Sequence, residues 1–302
     1  MATAQFGRVI TAMITPFTED GAVDYESAVV LAKHLVAHGS EGLLVGGTTG
    51  EGATMTAEEK LKLYTLIVDA VGKRGEGKKV PVMGNIGTIS TADTIAFGNK
   101  AKETGIDCAL VIVPFYVKPN QEGMYQHFTA VAKGVDLPLV LYNVPGRTGV
   151  SIQPETIKRV VDECPNVVGI KDATGNWDQV TKEKALLPED FMIYSGDDAF
   201  TLPVLLAGGV GIISVSAHVI GDDMLAMVDA FEKGDLEKAR ELHLKMYEIN
   251  KGMFFTASPT PVKTATNLVG QPGGHFRLPM VEPTEAEKAK VRQMLENYGG
   301  LL

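Results

Sequence analysis

Only two cysteines and one tryptophan occur among the 302 residues. Cys108 lies inside an apolar run and Cys164 beside Pro165, so no disulfide framework can be drawn, and the chain is expected in a reducing compartment, the cytoplasm. Long hydrophobic runs are also missing. No apolar stretch reaches the roughly 18–20 residues that cross a bilayer, and the first residues lack a basic segment followed by an apolar one. No membrane partner is therefore expected. Basic charge is scarce: 28 Lys and Arg against 37 Asp and Glu give a net charge of −9. That argues against nucleic acid as a partner, since phosphates need a positive footprint. The six histidines form no His-x-x-x-His pair with a catalytic glutamate, so no metal is expected. His34 and His38, four apart, read as a solvated helix face.

What is present is a hydrophobic content of 45%, enough over this length for a large core. Short β-branched and aliphatic runs recur at 9–14, 42–45, 80–83, 108–113, 137–142, 167–170, 191–194 and 211–215. Each is followed by turn residues and then an amphipathic stretch, the signature of repeated strand–helix units. Runs apolar at nearly every position, such as 109–113, need cover on both faces, as in a parallel sheet wrapped by helices. Eight repeats predict an α/β fold, a closed (β/α)8 TIM barrel. The alternative, an open doubly wound sheet, lacks a Gly-x-Gly-x-x-Gly fingerprint after the first strand.

Helix starts carry chemical signals: Thr56 with Glu59, Ser90 with Asp93, and Thr284 with Glu287 have capping-box spacing. Beyond residue 220 the pattern becomes helix after helix, at 224–233, 236–251, 261–269 and 284–298. The expected organisation is a barrel over 1–222 and a C-terminal helical extension over 223–302.

Catalytic groups of a parallel barrel sit at the carboxyl ends of the strands. Lys171 follows Val167, Val168 and Ile170 on a buried strand, where desolvation lowers a lysine pKa. A neutral amine there can attack a ketone and form a Schiff base. The plainer reading is an ion pair between Lys171 and its neighbour Asp172. Tyr142 and Tyr116 follow other strands and can relay protons if a hydroxyl such as that of Thr48 holds them; packing alone is the alternative. Arg147, in a Pro-Gly-Arg-Thr-Gly turn, offers a planar fork to a carboxylate. Gly208-Gly209-Val210-Gly211 precedes its strand, and reads as a tight turn rather than a phosphate cradle.

Together, Gly47-Thr48-Thr49-Gly50-Glu51, Tyr142-Asn143-Val144-Pro145 with Arg147, and Gly169-Ile170-Lys171-Asp172 resemble the class I pyruvate-dependent aldolase (N-acetylneuraminate lyase) superfamily, and within it the dihydrodipicolinate synthase family. Ser195-Gly196-Asp197-Asp198, Gly211-Ile212-Ile213-Ser214-Val215 and Pro259-Thr260-Pro261-Val262-Lys263 extend the resemblance from Gly7 to the C-terminus.

The resemblance implies a lyase that condenses pyruvate with L-aspartate 4-semialdehyde on the way to lysine and diaminopimelate, without a cofactor beyond the covalent imine on Lys171. It implies that Tyr142 donates and accepts protons, linked through Thr48 to Tyr116, which crosses a dimer interface. Thr49, Gly196 and the main chain near Ile213 would bind pyruvate, and Arg147 the carboxylate of the aldehyde. A homotetramer, a dimer of dimers, is expected. Two departures stand out. Gly84-Asn85-Ile86-Gly87-Thr88 replaces the usual Gly-Thr with small residues and an asparagine, which points to a changed aldehyde pocket. Thr56-Ala57-Glu58-Glu59-Lys60 lacks the histidines of lysine-inhibited members and Thr88 stands in the place of their asparagine, so feedback by lysine is expected to be weak or absent. Another pyruvate aldolase or sugar-acid dehydratase, and more remotely a non-catalytic ligand-binding barrel, are the competing readings.

Overall fold

A computed structural model describes residues 3–75, 77 and 79–302. Eight parallel strands close on one another in chain order. They are β1 (Val9–Ala12), β2 (Gly42–Val45), β3 (Val82–Asn85), β4 (Cys108–Ile112), β5 (Leu139–Asn143), β6 (Val167–Asp172), β7 (Met192–Ser195) and β8 (Gly211–Ser214). β1 pairs with β2 on one side and β8 on the other, which closes the barrel. The architecture is the expected (β/α)8 barrel.

The helices are α1 (Tyr25–Ala37), α2 (Ala57–Val71), α3 (Thr91–Glu103), α4 (Gln121–Gly134), the single turn α5 (Pro145–Thr148), α6 (Pro154–Glu163), α7 (Trp177–Leu186), α8 (Thr201–Leu206), α9 (Ala217–Glu232), α10 (Leu236–Gly252), α11 (Thr260–Leu268) and α12 (Glu285–Tyr298). Their starts follow the local chemistry. Thr56 and Glu59 form a reciprocal capping box at α2, and so do Thr284 and Glu287 at α12. At α3, the Ser90 side chain accepts from the Asp93 N–H. α1 ends before His38, whose ring stacks on His34 at 4.4 Å and reaches Asp222 at 3.0 Å. His38 and Asp222 are both largely exposed, so the face is solvated as expected, with the His38–Asp222 contact linking the end of α1 to α9.

Two cores result. Ile10, Leu44, Met83, Leu110, Val140, Tyr142, Met192, Tyr194 and Ile213 fill the barrel, while a larger set, including Leu31, Ile67, Phe128 and Ile157, packs between strands and helices. Residue 222 lies within α9, which bends at Ile220 and continues to Glu232. At the amino-terminal face Arg8 ties Glu41 to Asp229 of α9. At the opposite face Phe17, after β1, bridges to His275. The C-terminal helices are thus anchored to both faces of the barrel.

Candidate active site at the barrel mouth

The end of β6 carries the central group. Its ladder with β5 runs past the expected strand end: Tyr142 pairs with Lys171 and Asn143 with Asp172. Lys171 therefore lies inside the strand rather than just after it. How its side chain comes to face inward depends on an irregularity. Leu139 pairs with Val167 but Val140 pairs with Gly169, so β6 holds one extra residue, Val168. A bulge of this kind reverses the alternation of every later residue. Lys171 then shares the interior row with Tyr142 and Tyr194, and Asp172 turns outward. The Lys171–Asp172 ion pair weighed from the sequence does not form, because neighbours along a strand face opposite sides.

Lys171 is 4% exposed, and its Nζ stands 4.6 Å from the centre of the Tyr142 ring. Burial pulls its ammonium down to about 8; the negative charge of Asp198 opposes this and Arg147 adds to it. Asp198 escaped the reading of single residues. Its carboxylate accepts the Ser214 hydroxyl and the main-chain N–H groups of Val215 (3.1 Å) and Ser216 (3.2 Å). Its place just beyond the seventh apolar run was the available signal.

Tyr142 is also buried, which raises its phenol above the ordinary range; Arg147 and a hydrogen bond with the Thr48 side chain hold that rise back. Thr48 and the buried Thr49 lie on the turn after β2, which folds back tightly. Gly52 is required there, since a Cβ would stand 1.9 Å from the Gly46 carbonyl oxygen. The turn ends at Glu51, a left-handed residue (φ 52°) whose carboxylate pairs with buried Lys263 of α11 at 2.7 Å. Glu51 and Lys263 both belong to the quoted motifs, but nothing in their spacing announced the pairing.

The other predicted residues are placed as follows. Ile213 of β8 is in the barrel interior. Gly196 donates its N–H to the Asp172 carbonyl at 2.6 Å, and a Cβ there would lie 2.6 Å from the Ala173 Cβ. Arg147 is exposed on α5. Tyr116 stands apart: it is 86% exposed at φ 66°, and has no side-chain hydrogen bond among the described residues. Only the Tyr142–Thr48 half of the expected relay forms within one chain. The departing segment, which begins within β3, is held to the same turn, for Asn85 Nδ2 at the end of that strand donates to the Gly46 carbonyl at 3.1 Å.

A buried amine held near neutrality, against a phenol bonded to a hydroxyl, can add to a carbonyl and shuttle the protons of an imine. No group of three or more His, Cys, Asp and Glu is placed to hold a metal among the described residues. No helix among them is long and apolar enough to cross a membrane.

The model of the dihydrodipicolinate synthetase family matches residues 5–298. The chain belongs to that family. The 4-hydroxy-tetrahydrodipicolinate synthase of Heliobacterium modesticaldum is 48% identical over 295 residues, covering 98% of this chain and 96% of that protein. The crystal structure of DHDPS from Cyanidioschyzon merolae with lysine bound superposes with a TM-score of 0.94 at 41% identity, covering 98% of this chain and 99% of that one. Dihydrodipicolinate synthase DapA-2 of Bacillus anthracis gives 0.92 at 42% identity, with 98% and 99% covered. Membership of the dihydrodipicolinate synthetase family accounts for both the barrel and the C-terminal helices.

Proposed function

We propose that this chain is a 4-hydroxy-tetrahydrodipicolinate synthase, a lyase that condenses pyruvate with L-aspartate 4-semialdehyde through an imine on Lys171. The observation that carries the reading is the buried Lys171 amine, held at about 8 against the Tyr142 ring. The neutral amine adds to the keto carbon of pyruvate, and water leaves as the imine forms. Loss of a methyl proton gives an enamine, whose carbon attacks the aldehyde; the alkoxide takes up a proton. The amino group of the second substrate then attacks the imine carbon, closing the ring and releasing Lys171.

Tyr142, hydrogen-bonded with Thr48, moves these protons. Thr49, Gly196 and the main chain near Ile213 bind pyruvate. Arg147, exposed at the rim, binds the carboxylate of the aldehyde. Tyr116 completes the relay in a neighbouring copy, and its exposure in the single chain supports that role. We read the working unit as a cytoplasmic homotetramer of barrels (1–222), each with its helical extension (223–302), needing no cofactor beyond the covalent imine.

The test is turnover with both substrates, coupled to an NADPH-dependent reductase acting on the product, and its loss in Lys171→Ala. A second reading, a different aldehyde, is favoured by the Asn85-Ile86-Gly87-Thr88 segment. Borohydride trapping of pyruvate on Lys171 without turnover would select it, and a panel of aldehydes would identify the substrate. Absence of any adduct would leave a non-catalytic barrel.

A further inference from the structure

We propose that Asp172 and Glu183 hold a single proton between their carboxyl groups, and that this pair positions Lys171 and Tyr142 from outside the barrel. The positioning role rests on the reading of those two residues given above. Asp172 is 2% exposed on β6 and Glu183 is fully buried on α7. The two side chains are in hydrogen-bonding contact, and neither enters an ion pair among the described residues. Two carboxylates so placed repel each other with no cation to offset the repulsion.

The surrounding donors show where the proton belongs. Asp172 Oδ1 accepts the Thr174 N–H at 2.9 Å and the Thr174 hydroxyl, and Oδ2 faces Asn143 Nδ2 at 3.5 Å. Glu183 Oε1 accepts only Gln179 Nε2, at 2.8 Å, which also donates to the Ile152 carbonyl at 3.1 Å. Glu183 Oε2 is buried with no donor reaching it. A bare oxygen there bears the full desolvation penalty of an unpartnered acceptor. A proton on Glu183 removes that cost, because Oε2–H donates to Asp172, whose three donors stabilise the remaining charge. Burial raises both carboxyls, and that of Glu183 rises further beside the Asp172 charge.

The pair acts on the site through the β5–β6 register. Tyr142–Lys171 inside and Asn143–Asp172 outside are consecutive rungs of one ladder. Asn143 is held in turn: its Nδ2 donates to Ser151 Oγ (3.1 Å) and the Ile152 carbonyl (3.3 Å), and its Oδ1 accepts the Ile152 N–H (3.3 Å). The outer rung therefore fixes the inner one, and α7 reaches it through Glu183.

Difference infrared spectroscopy of the whole protein at neutral pH tests the proton. The carbonyl band of a protonated carboxyl should appear in the wild type and vanish in Glu183→Gln; its absence from the wild type overturns the proposal. Positioning is tested by kcat per Lys171 site that traps pyruvate with borohydride, a ratio that loss of folded protein leaves unchanged. Glu183→Gln, whose amide N–H donates where the shared proton did, should stay within about threefold of wild type. Asp172→Asn sets an NH2 group against Asn143 Nδ2 and should lose at least about tenfold. Wild-type turnover per trapped site in Asp172→Asn, or an equal loss in Glu183→Gln, overturns the positioning role. Failure of the wild type to trap pyruvate would instead overturn the reading of Lys171 and the positioning built on it, leaving the shared proton to be decided by the infrared band alone.

Discussion

Lys263 and Glu51, 212 residues apart in the chain, form a buried ion pair at 2.7 Å, with side chains 0% and 2% exposed. Lys263 also donates to the His275 carbonyl, and the main-chain N–H of Arg277 reaches Glu51 Oε2 at 3.3 Å. The C-terminal helices thus hold the turn that presents Thr48 and Thr49. Removing one partner strands the other charge in the interior. Lys263→Met or Glu51→Gln should each lose about 3–5 kcal/mol of stability, while the double substitution should lose less than the sum. Denaturant unfolding of the four proteins checks this; additive losses would show that the two charges are not coupled.

The amine of Lys171 gives a pH dependence with a definite sign. Attack needs the neutral form, so kcat/KM for pyruvate should rise with pH and level off above about 8. The same shift weighs on stability. Between about 8 and the ordinary 10.5 the unfolded chain binds more protons than the native one, so stability increases with pH across that window. Lys171→Met should abolish turnover yet raise stability at pH 7 by on the order of 3 kcal/mol, an advantage that shrinks as pH approaches 10. Paired thermal scans at pH 7 and pH 10 measure it.

Tyr142→Phe removes the phenolic proton while keeping the ring against Lys171. We expect kcat to fall about 10²-fold or more, with the imine still trapped by borohydride. Thr48→Val, which leaves the Tyr142 hydroxyl without its partner, should show the same pattern to a smaller degree. An unchanged rate in Tyr142→Phe would take the phenol out of the proton relay.

Tyr116 is 86% exposed and has no side-chain hydrogen bond among the described residues, which supports the proposal that its contribution depends on a second copy. Activity should fall on dilution below the dimer dissociation constant. Sedimentation and rate measured on the same dilution series decide it, and a fully active monomer would contradict the crossing.

Lysine at submillimolar concentration should leave turnover nearly unchanged. Thr88, in place of the asparagine, spends its hydroxyl on Thr94 Oγ1 (3.0 Å) and the Ser90 carbonyl (2.9 Å). Glu59, among the residues in place of the histidines, is clamped by Arg277 at 2.8 and 2.9 Å. Neither is free to hold an added amino acid. A clear inhibition curve in that range would refute the expectation.

Local chemistry was legible wherever it repeats or caps. The eight apolar runs, the capping boxes at Thr56 and Thr284 and the clustering of reactive residues at strand ends depend on neighbours in sequence, and periodicity records these directly. For Lys171, Tyr142 and Arg147 the strand-end positions had already suggested chemistry, and the family resemblance favoured it over the plainer readings. Other features had no local signal. His38 meets Asp222 184 residues away, a contact that no local pattern announces. Asp198 drew no individual role from the sequence, although its charge acts on Lys171 from the helical turn beyond β7.

The sequence by itself determined the number and order of strand–helix units, the buried lysine and the residue types around it, since hydrophobic period and turn chemistry are properties of short segments. Only the tertiary structure decided which way Lys171 faces. One extra residue at Val168 shifts the β5–β6 register, and a strand's period of two converts that single step into an inward Lys171 and an outward Asp172. The same folding brought Lys263 to Glu51 and Glu183 to Asp172, because a buried charge must find its partner across space rather than along the chain.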